Sequence, residues 1–362
     1  MRELVGSPPE AFDFREIRYI KQDGVATVTI DRPHVYNAYS TRTLQEMIRA
    51  FQDAAWDDAV AVVVLTGAGD RAFCTGGDVR EYAEKYVAYP RDYWKYMGLF
   101  IQAHDLLRNI GKPTIARING IVAGGGNEFN MACDLAVMAA HAYIRQVGTR
   151  VGSVACGGAT QWLPILVGDR RAREILYLCE EIPPKQCLEW GLVNRVVPSV
   201  RHRATGEWLD PWDWEAHRRA LQDPAYVVDL SLLDAAVAEM AEKLKDKFPE
   251  CLRYTQRQVN FWKDLAWHMT VGHGQEWLAL HYACWEPLEG MGAFVEKRSP
   301  EYRKLRQEAA EGRWSEFPWG PYTGTCPHCG ARWLPARFQF CGACGRPLGP
   351  DDSKGRRDEG TE

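Results

Sequence analysis

The spacing of apolar positions changes several times along the chain, and each change marks an element. Residues 17–31, IRYIKQDGVATVTID, alternate apolar and polar side chains on both sides of Asp23-Gly24, the pattern of a hairpin closed by a tight turn. Residues 41–55 then place apolar side chains three and four apart, as a helix with one buried face does. An apolar run at 60–66 reads as a buried strand and leads to a glycine turn at Gly76-Gly77. Strand, glycine turn and helix recur in 116–135, ARINGIVAGGGNEFNMACDL, where Gly124, Gly125 and Gly126 precede a helix expected over 127–133. This alternation predicts an α/β fold of stacked βα units.

Residues 81–113 read as helical and aromatic-rich, with Tyr82, Tyr86, Tyr93, Tyr96 and Phe100 assigned mainly to packing, and 201–224 as an exposed polar insertion. Residues 231–248 and 251–274 again show helical spacing with apolar faces, and 303–312 is charged and helical. The expected division is a core over 1–230, a helical layer over 231–312, a Pro/Gly linker over 313–324, a cysteine-rich module over 325–349 and a disordered polar tail over 350–362.

Composition narrows the class. The 362 residues suffice for a large core, and 44 basic against 48 acidic residues give no global pull toward nucleic acid or membrane. The first residues lack an apolar leader and no run reaches membrane-spanning length, which points to a cytoplasmic protein. Seven of the eleven cysteines stand in apolar contexts and read as reduced buried thiols. The other four form Cys326-Pro-His-Cys329 and Cys341-Gly-Ala-Cys344, each pair followed by glycine. Two such knuckles around a short β-type insert suit a structural zinc with no open position for chemistry. So small a module needs the metal's binding energy to fold. Its expected role is assembly, or docking of a protein or nucleic acid partner.

The candidate chemistry lies at the glycine turns. Backbone N–H groups at a helix start have no internal acceptor and favour negative charge, so the turn at Gly124–Gly126 can form an oxyanion site. Glu128, in the first turn of the same helix, is either a dipole partner or a proton-transfer group.

An F-C-x-G-G-D turn at 73–78 followed by N-G-x-x-x-G-G-G-x-E at 119–128 resembles the crotonase superfamily of CoA thioester enzymes, and the likeness runs from about residue 16 to 302. It implies a crotonase-like stacked ββα spiral with a C-terminal helical layer that builds trimers or dimers of trimers. It also implies Gly77 and Gly125 as the two oxyanion amides, Glu128 as catalyst, and Asp78, Gln146, Gly148, Ser153 and Lys297 as substrate contacts. Lys297 would reach a CoA phosphate. Where hydratases of the family carry a second glutamate this chain has Gly148, which leaves room for a water or a bicarbonate ion. The run CGGATQWLPILVGDRRAREILYLCEEIP resembles the branch that opens 6-oxocyclohex-1-ene-1-carbonyl-CoA with two waters in anaerobic aromatic degradation. A simple enoyl-CoA hydratase, a naphthoate-synthase-like lyase and a non-catalytic acyl-CoA-binding scaffold are the alternatives.

Overall fold

The computed structural model describes residues 4–313 and 316–349; two positions of the expected linker, 314 and 315, and the expected tail over 350–362 lie outside the described residues. The hairpin forms as its alternation predicts. Strands β1 (Ile17–Gln22) and β2 (Val25–Ile30) pair antiparallel, with Ile17 opposite Ile30. Asp23 and Gly24 between them both take positive φ, 49° and 75°, as a two-residue turn matched to strand twist requires.

Each following unit supplies two strands and then a helix. The pairs are β3 (Val62–Gly67) with β4 (Ala72–Cys74), β5 (Thr114–Ile118) with β6 (Ile121–Ala123), and β7 (Leu135–Ala139) with β8 (Ile144–Arg145). The first strand of each pair joins a six-stranded sheet of order β1-β2-β3-β5-β7-β9, closed by β9 (Arg195–Val197), and all its pairings after β1-β2 are parallel. The second strands form a separate parallel sheet of order β4-β6-β8. The expected crotonase-like α/β spiral is therefore present.

β3 is buried along its whole length, the mark of a strand covered on both faces. Val63 and Leu65 face the main core with Met47 and Phe51 of helix Thr41–Trp56. Val62 and Val64 face Leu233, Ala236 and Val237 of helix Ser231–Lys245.

Three expectations change in detail. The helical run over 251–274 is two helices, Pro249–Val259 and Phe261–His281, broken at Asn260, whose side chain donates to the Arg108 carbonyl at 2.7 Å. The insertion over 201–224 is not an open loop. It carries helix Trp214–Ala220, and its flanks pair as β10 (Val200–His202) and β11 (Tyr226–Val228). Of the seven cysteines read as buried, Cys251 is exposed and Cys284 half-buried. On the C-terminal helices and the turn before them, Phe248, Val259, Trp262, Met269 and Leu280 are each 65–79% exposed. No described helix is long and apolar enough to cross a membrane.

Candidate active site

Parallel pairing of β4, β6 and β8 explains why segments fifty residues apart meet. The strands end on the same side, so the turns that leave them, 75–77, 124–125 and 146–148, open onto one cavity at the carboxyl ends of the sheet. That cavity is lined by Gly77, Gly125, Glu128, Gln146, Gly148 and Ser153, six of the residues expected there.

The backbone at both glycine turns is set by neighbours. Tyr39 N–H donates to the Gly76 carbonyl and Asp78 N–H to the Tyr39 carbonyl, both at 2.9 Å. In such a parallel bridge the residue between the two bonds, Gly77, directs its own N–H to the opposite side. Gly125 is the first residue of helix Gly125–Ala132, so its N–H has no partner within the helix. Gly76 and Gly124 bring the chain into these positions with φ of 93° and 51°, a region only glycine enters without strain. A methyl group added at Gly125 would land on the Tyr39 hydroxyl, and one at Gly77 on the Tyr82 hydroxyl.

Glu128 is 4% exposed, and its Oε1 accepts the N–H of Ala159, the first residue of helix Ala159–Val167, at 3.1 Å. Burial pushes its carboxyl up to about 7, against the opposing pull of the N–H groups at Ala159 and Gly157. A carboxylate poised near neutrality suits proton transfer in either direction. Cys156 lines the same cavity, but burial raises its thiol to about 12 and leaves it neutral.

Gln146 is fully buried. Its Nε2 donates to the Gly124 carbonyl at 3.4 Å, while Oε1 has no partner among the described residues. A buried amide oxygen without a donor is costly, so it marks a place for water or a substrate hydroxyl. At Gly148 a Cβ would come within 3.0 Å of the Ser153 carbonyl, which keeps this corner of the cavity free of a side chain.

Two expected contacts lie outside the cavity lining. The Asp78 carboxylate caps a short turn by accepting from Arg80 N–H at 3.1 Å and pairs with Arg32 at 3.0 Å. Its charge is thus paired within the scaffold. Lys297 is exposed, at φ 56°. His104 is wholly buried and packs on Phe129 with ring centroids 4.0 Å apart, as a structural histidine does.

Tyr39, Tyr82 and Tyr96 are cavity residues that periodicity did not single out. Tyr39 follows a loop with no helical spacing. Tyr82 opens a π-helical turn, Tyr82–Tyr86, in which Val87 N–H reaches the Tyr82 carbonyl at 2.9 Å.

The cysteine module forms a second candidate site. β12 (Tyr322–Thr325) and β13 (Arg332–Pro335) pair antiparallel, and Cys326, Cys329, Cys341 and Cys344 converge with all Sγ atoms within 4.8 Å of one another. The Cys326–Cys344 and Cys329–Cys341 sulfur pairs are 3.8 and 3.7 Å apart. Four thiolates about 2.3 Å from a central zinc form a tetrahedron with edges of about 3.8 Å, so the donor set fits that ion. The N–H groups of His328 and Ala343 point at Cys326 and Cys341 Sγ at 3.4 Å, and Gly330 and Gly345 take the left-handed conformation after each pair. The linker before the module touches the body through Trp285 N–H donating to the Glu316 carbonyl at 2.8 Å, and the module through an Arg337–Glu308 pair at 3.7 Å.

Comparison with known proteins agrees with this geometry. The family described as enoyl-CoA hydratase/isomerase matches residues 20–213. A 6-oxocyclohex-1-ene-1-carbonyl-CoA hydrolase of Geobacter metallireducens is 35% identical over 316 residues, covering 80% of this chain and 83% of its own. A protein of the same description from Thauera aromatica is 34% identical over 318 residues, covering 81% and 83%. Among solved structures, an enoyl-CoA hydratase from Bacillus anthracis is 27% identical with a TM-score of 0.58, over 79% of this chain and 98% of its own. One from Mycobacterium avium subsp. paratuberculosis, 22% identical, shares the fold with a TM-score of 0.62, over 79% and 98%. With its stacked ββα units and paired glycine turns, the chain belongs to the enoyl-CoA hydratase/isomerase family, the crotonase superfamily of enzymes.

Proposed function

We propose that this enzyme is a ring-opening hydrolase that converts 6-oxocyclohex-1-ene-1-carbonyl-CoA, or a closely similar cyclic β-oxo enoyl-CoA, to 3-hydroxypimeloyl-CoA with two waters. The observation that carries the reading is a single buried carboxylate, Glu128, in one small cavity with the two glycine turns. The cavity holds about 100 Å³, against roughly 300–1,000 Å³ for pockets that take drug-sized ligands, a size suited to one ring. The relatives named above supply the choice of ring.

The amides of Gly77 and Gly125 hold the thioester oxygen, and charge arriving there is stabilised as an enolate. In the first step a water oxygen bonds to the ring carbon β to the thioester while Glu128 takes the water's proton. The C=C electron pair moves toward the thioester oxygen, and Glu128 returns the proton to the α carbon. In the second step another water attacks the ring ketone carbon. Glu128 takes that water's proton, the bond between that carbon and the α carbon breaks, its electron pair again enters the enolate, and Glu128 returns the proton to the α carbon while the ketone carbon becomes a carboxyl group. Gln146 Oε1 and the space at Gly148 position the waters. Ser153, on the same wall, adds a hydroxyl.

The exposed apolar face at Phe248, Val259, Trp262, Met269 and Leu280 is large for a lone chain and supports a homotrimer or dimer of trimers. In that assembly Lys297 is available to a CoA phosphate. The cysteine module is read as a structural zinc site, and the protein as cytoplasmic. Mass spectrometry of the product tests the reaction: a gain of two waters supports it, a gain of one reduces the enzyme to a hydratase, and no gain rejects this substrate.

A further inference from the structure

Among the cavity residues that the reaction above leaves without a role, three tyrosine hydroxyls form one connected group. Tyr82 and Tyr96 place their hydroxyl oxygens 2.6 Å apart, and the Tyr39 hydroxyl interacts electrostatically with that of Tyr82. Three hydroxyls carry three protons, and even two hydrogen bonds among them would use only two. One O–H is left over. If Tyr39 and Tyr96 both donate to the lone pairs of Tyr82, the central hydroxyl keeps its own proton for another acceptor.

The position of this group decides what that acceptor is. The Tyr82 hydroxyl lies where a side chain on Gly77 would begin, and the Tyr39 hydroxyl where one on Gly125 would begin. The hydroxyls thus sit directly against the two glycines whose amides face the thioester oxygen. In a β-oxo thioester the second carbonyl is attached one carbon away, so fixing the first oxygen at the amides leaves the second beside them. A plain enoyl chain offers no oxygen there and would leave the buried O–H unpaired, at a real cost in binding.

Resting on the ring-opening reading above, we infer that the Tyr82 hydroxyl is a second anion-stabilising donor, directed at the ring ketone oxygen and held in place by Tyr39 and Tyr96. Water attack on the ketone carbon moves the carbonyl electron pair onto that oxygen. Tyr82 stabilises the resulting oxyanion by hydrogen bonding and transfers no proton. The pair returns to re-form the C=O bond as the ring C–C bond breaks. Burial raises all three phenols well above their ordinary range, so each remains a neutral donor. The backbone supports the same assignment: Tyr82 opens the π-helical turn, a widened turn found frequently at functional sites. Tyr82 is then a catalytic residue for the second step alone, and Tyr39 and Tyr96 are positioning residues.

The test compares wild type with Tyr82→Phe and Tyr96→Phe on 6-oxocyclohex-1-ene-1-carbonyl-CoA, following one-water and two-water products by mass over time. The expected result is that Tyr82→Phe hydrates at close to the wild-type rate but cleaves about 100-fold more slowly, as loss of one oxyanion donor does, so the one-water ring accumulates. Tyr96→Phe should shift the same ratio by a smaller factor, which keeps the inference testable if Tyr82→Phe fails to fold. Equal slowing of both steps in the folded variants, or no slowing of either, overturns the role of Tyr82 while leaving the ring-opening reading intact. A wild-type enzyme that adds no water overturns both.

Discussion

The Glu128 carboxylate accepts the backbone N–H of Ala159 at 3.1 Å, so the catalytic candidate of one helix is held by the start of another. That bond, with the nearby Gly157 N–H, holds the carboxyl in a cavity that Glu128 lines. Glu128→Gln keeps the shape and removes the proton carrier; kcat for water addition should fall by at least about 100-fold, the lower end of what acid–base catalysis contributes. Because the first step needs the ionised form, wild-type kcat/KM should rise with pH through about 7. Rate profiles of the two proteins from pH 5 to 9 check both points.

The same group makes the fold sensitive to pH. Its carboxyl is raised from 4.5 to about 7 on folding, so between those values the folded chain retains a proton that the unfolded chain has lost. This contribution to stability is lost as pH rises through the window, amounting to about 3 kcal/mol above it. Glu128→Gln should therefore unfold at higher urea than wild type at pH 8, with the difference closing toward pH 4.5.

Gly125→Ala and Gly77→Ala would push methyl groups onto the hydroxyls of Tyr39 and Tyr82. Both turns must move, and with them the amides. Activity should fall more than about 100-fold in each, as when an oxyanion donor is lost, while circular dichroism stays close to wild type.

Removal of metal should unfold the cysteine module and spare the α/β core, since that core has its own extensive hydrophobic cluster and the module buries little more than Cys326, Leu334 and Cys341. A strong chelator should release one zinc per chain, quantified by a colorimetric indicator, and raise proteolysis after residue 316. Cys341→Ser should bind none.

Met269 is 74% exposed on helix Phe261–His281 beside other bare apolar side chains. A lysine there should leave the monomer folded and shift light-scattering mass toward a single chain. Unchanged mass would place the subunit contact elsewhere.

Much of the fold could be read from the chain because its signals are local. The Asp23-Gly24 turn, the apolar run at 60–66 and the triple glycine at 124–126 each dictate their own backbone. Gly77, Gly125 and Glu128, expected from the resemblance, line one cavity. What could not be read depends on distant partners. Asp78 adjoins the glycine turn in sequence, yet Arg32, 46 residues earlier, takes its charge. Tyr82 read as packing and Tyr39 carried no reading, because their hydroxyls meet the glycine turns only where β4 and β6 end side by side. The break at Asn260 escaped notice because apolar spacing runs through it, and the Arg108 carbonyl that holds its side chain lies 152 residues away.

The cysteine module enters the molecule at Glu316, whose carbonyl takes the N–H of Trp285 at the start of helix Trp285–Val295. The same helix places Met291 on the wall of the catalytic cavity. If the module folds around the zinc that its four cysteines fit, this helix gains an anchor that depends on metal supply. Starvation for the metal would then slacken one wall of the acyl pocket while both glycine turns stayed in place, making the fit around substrate, more than the chemistry itself, the property exposed to the cell's metal status.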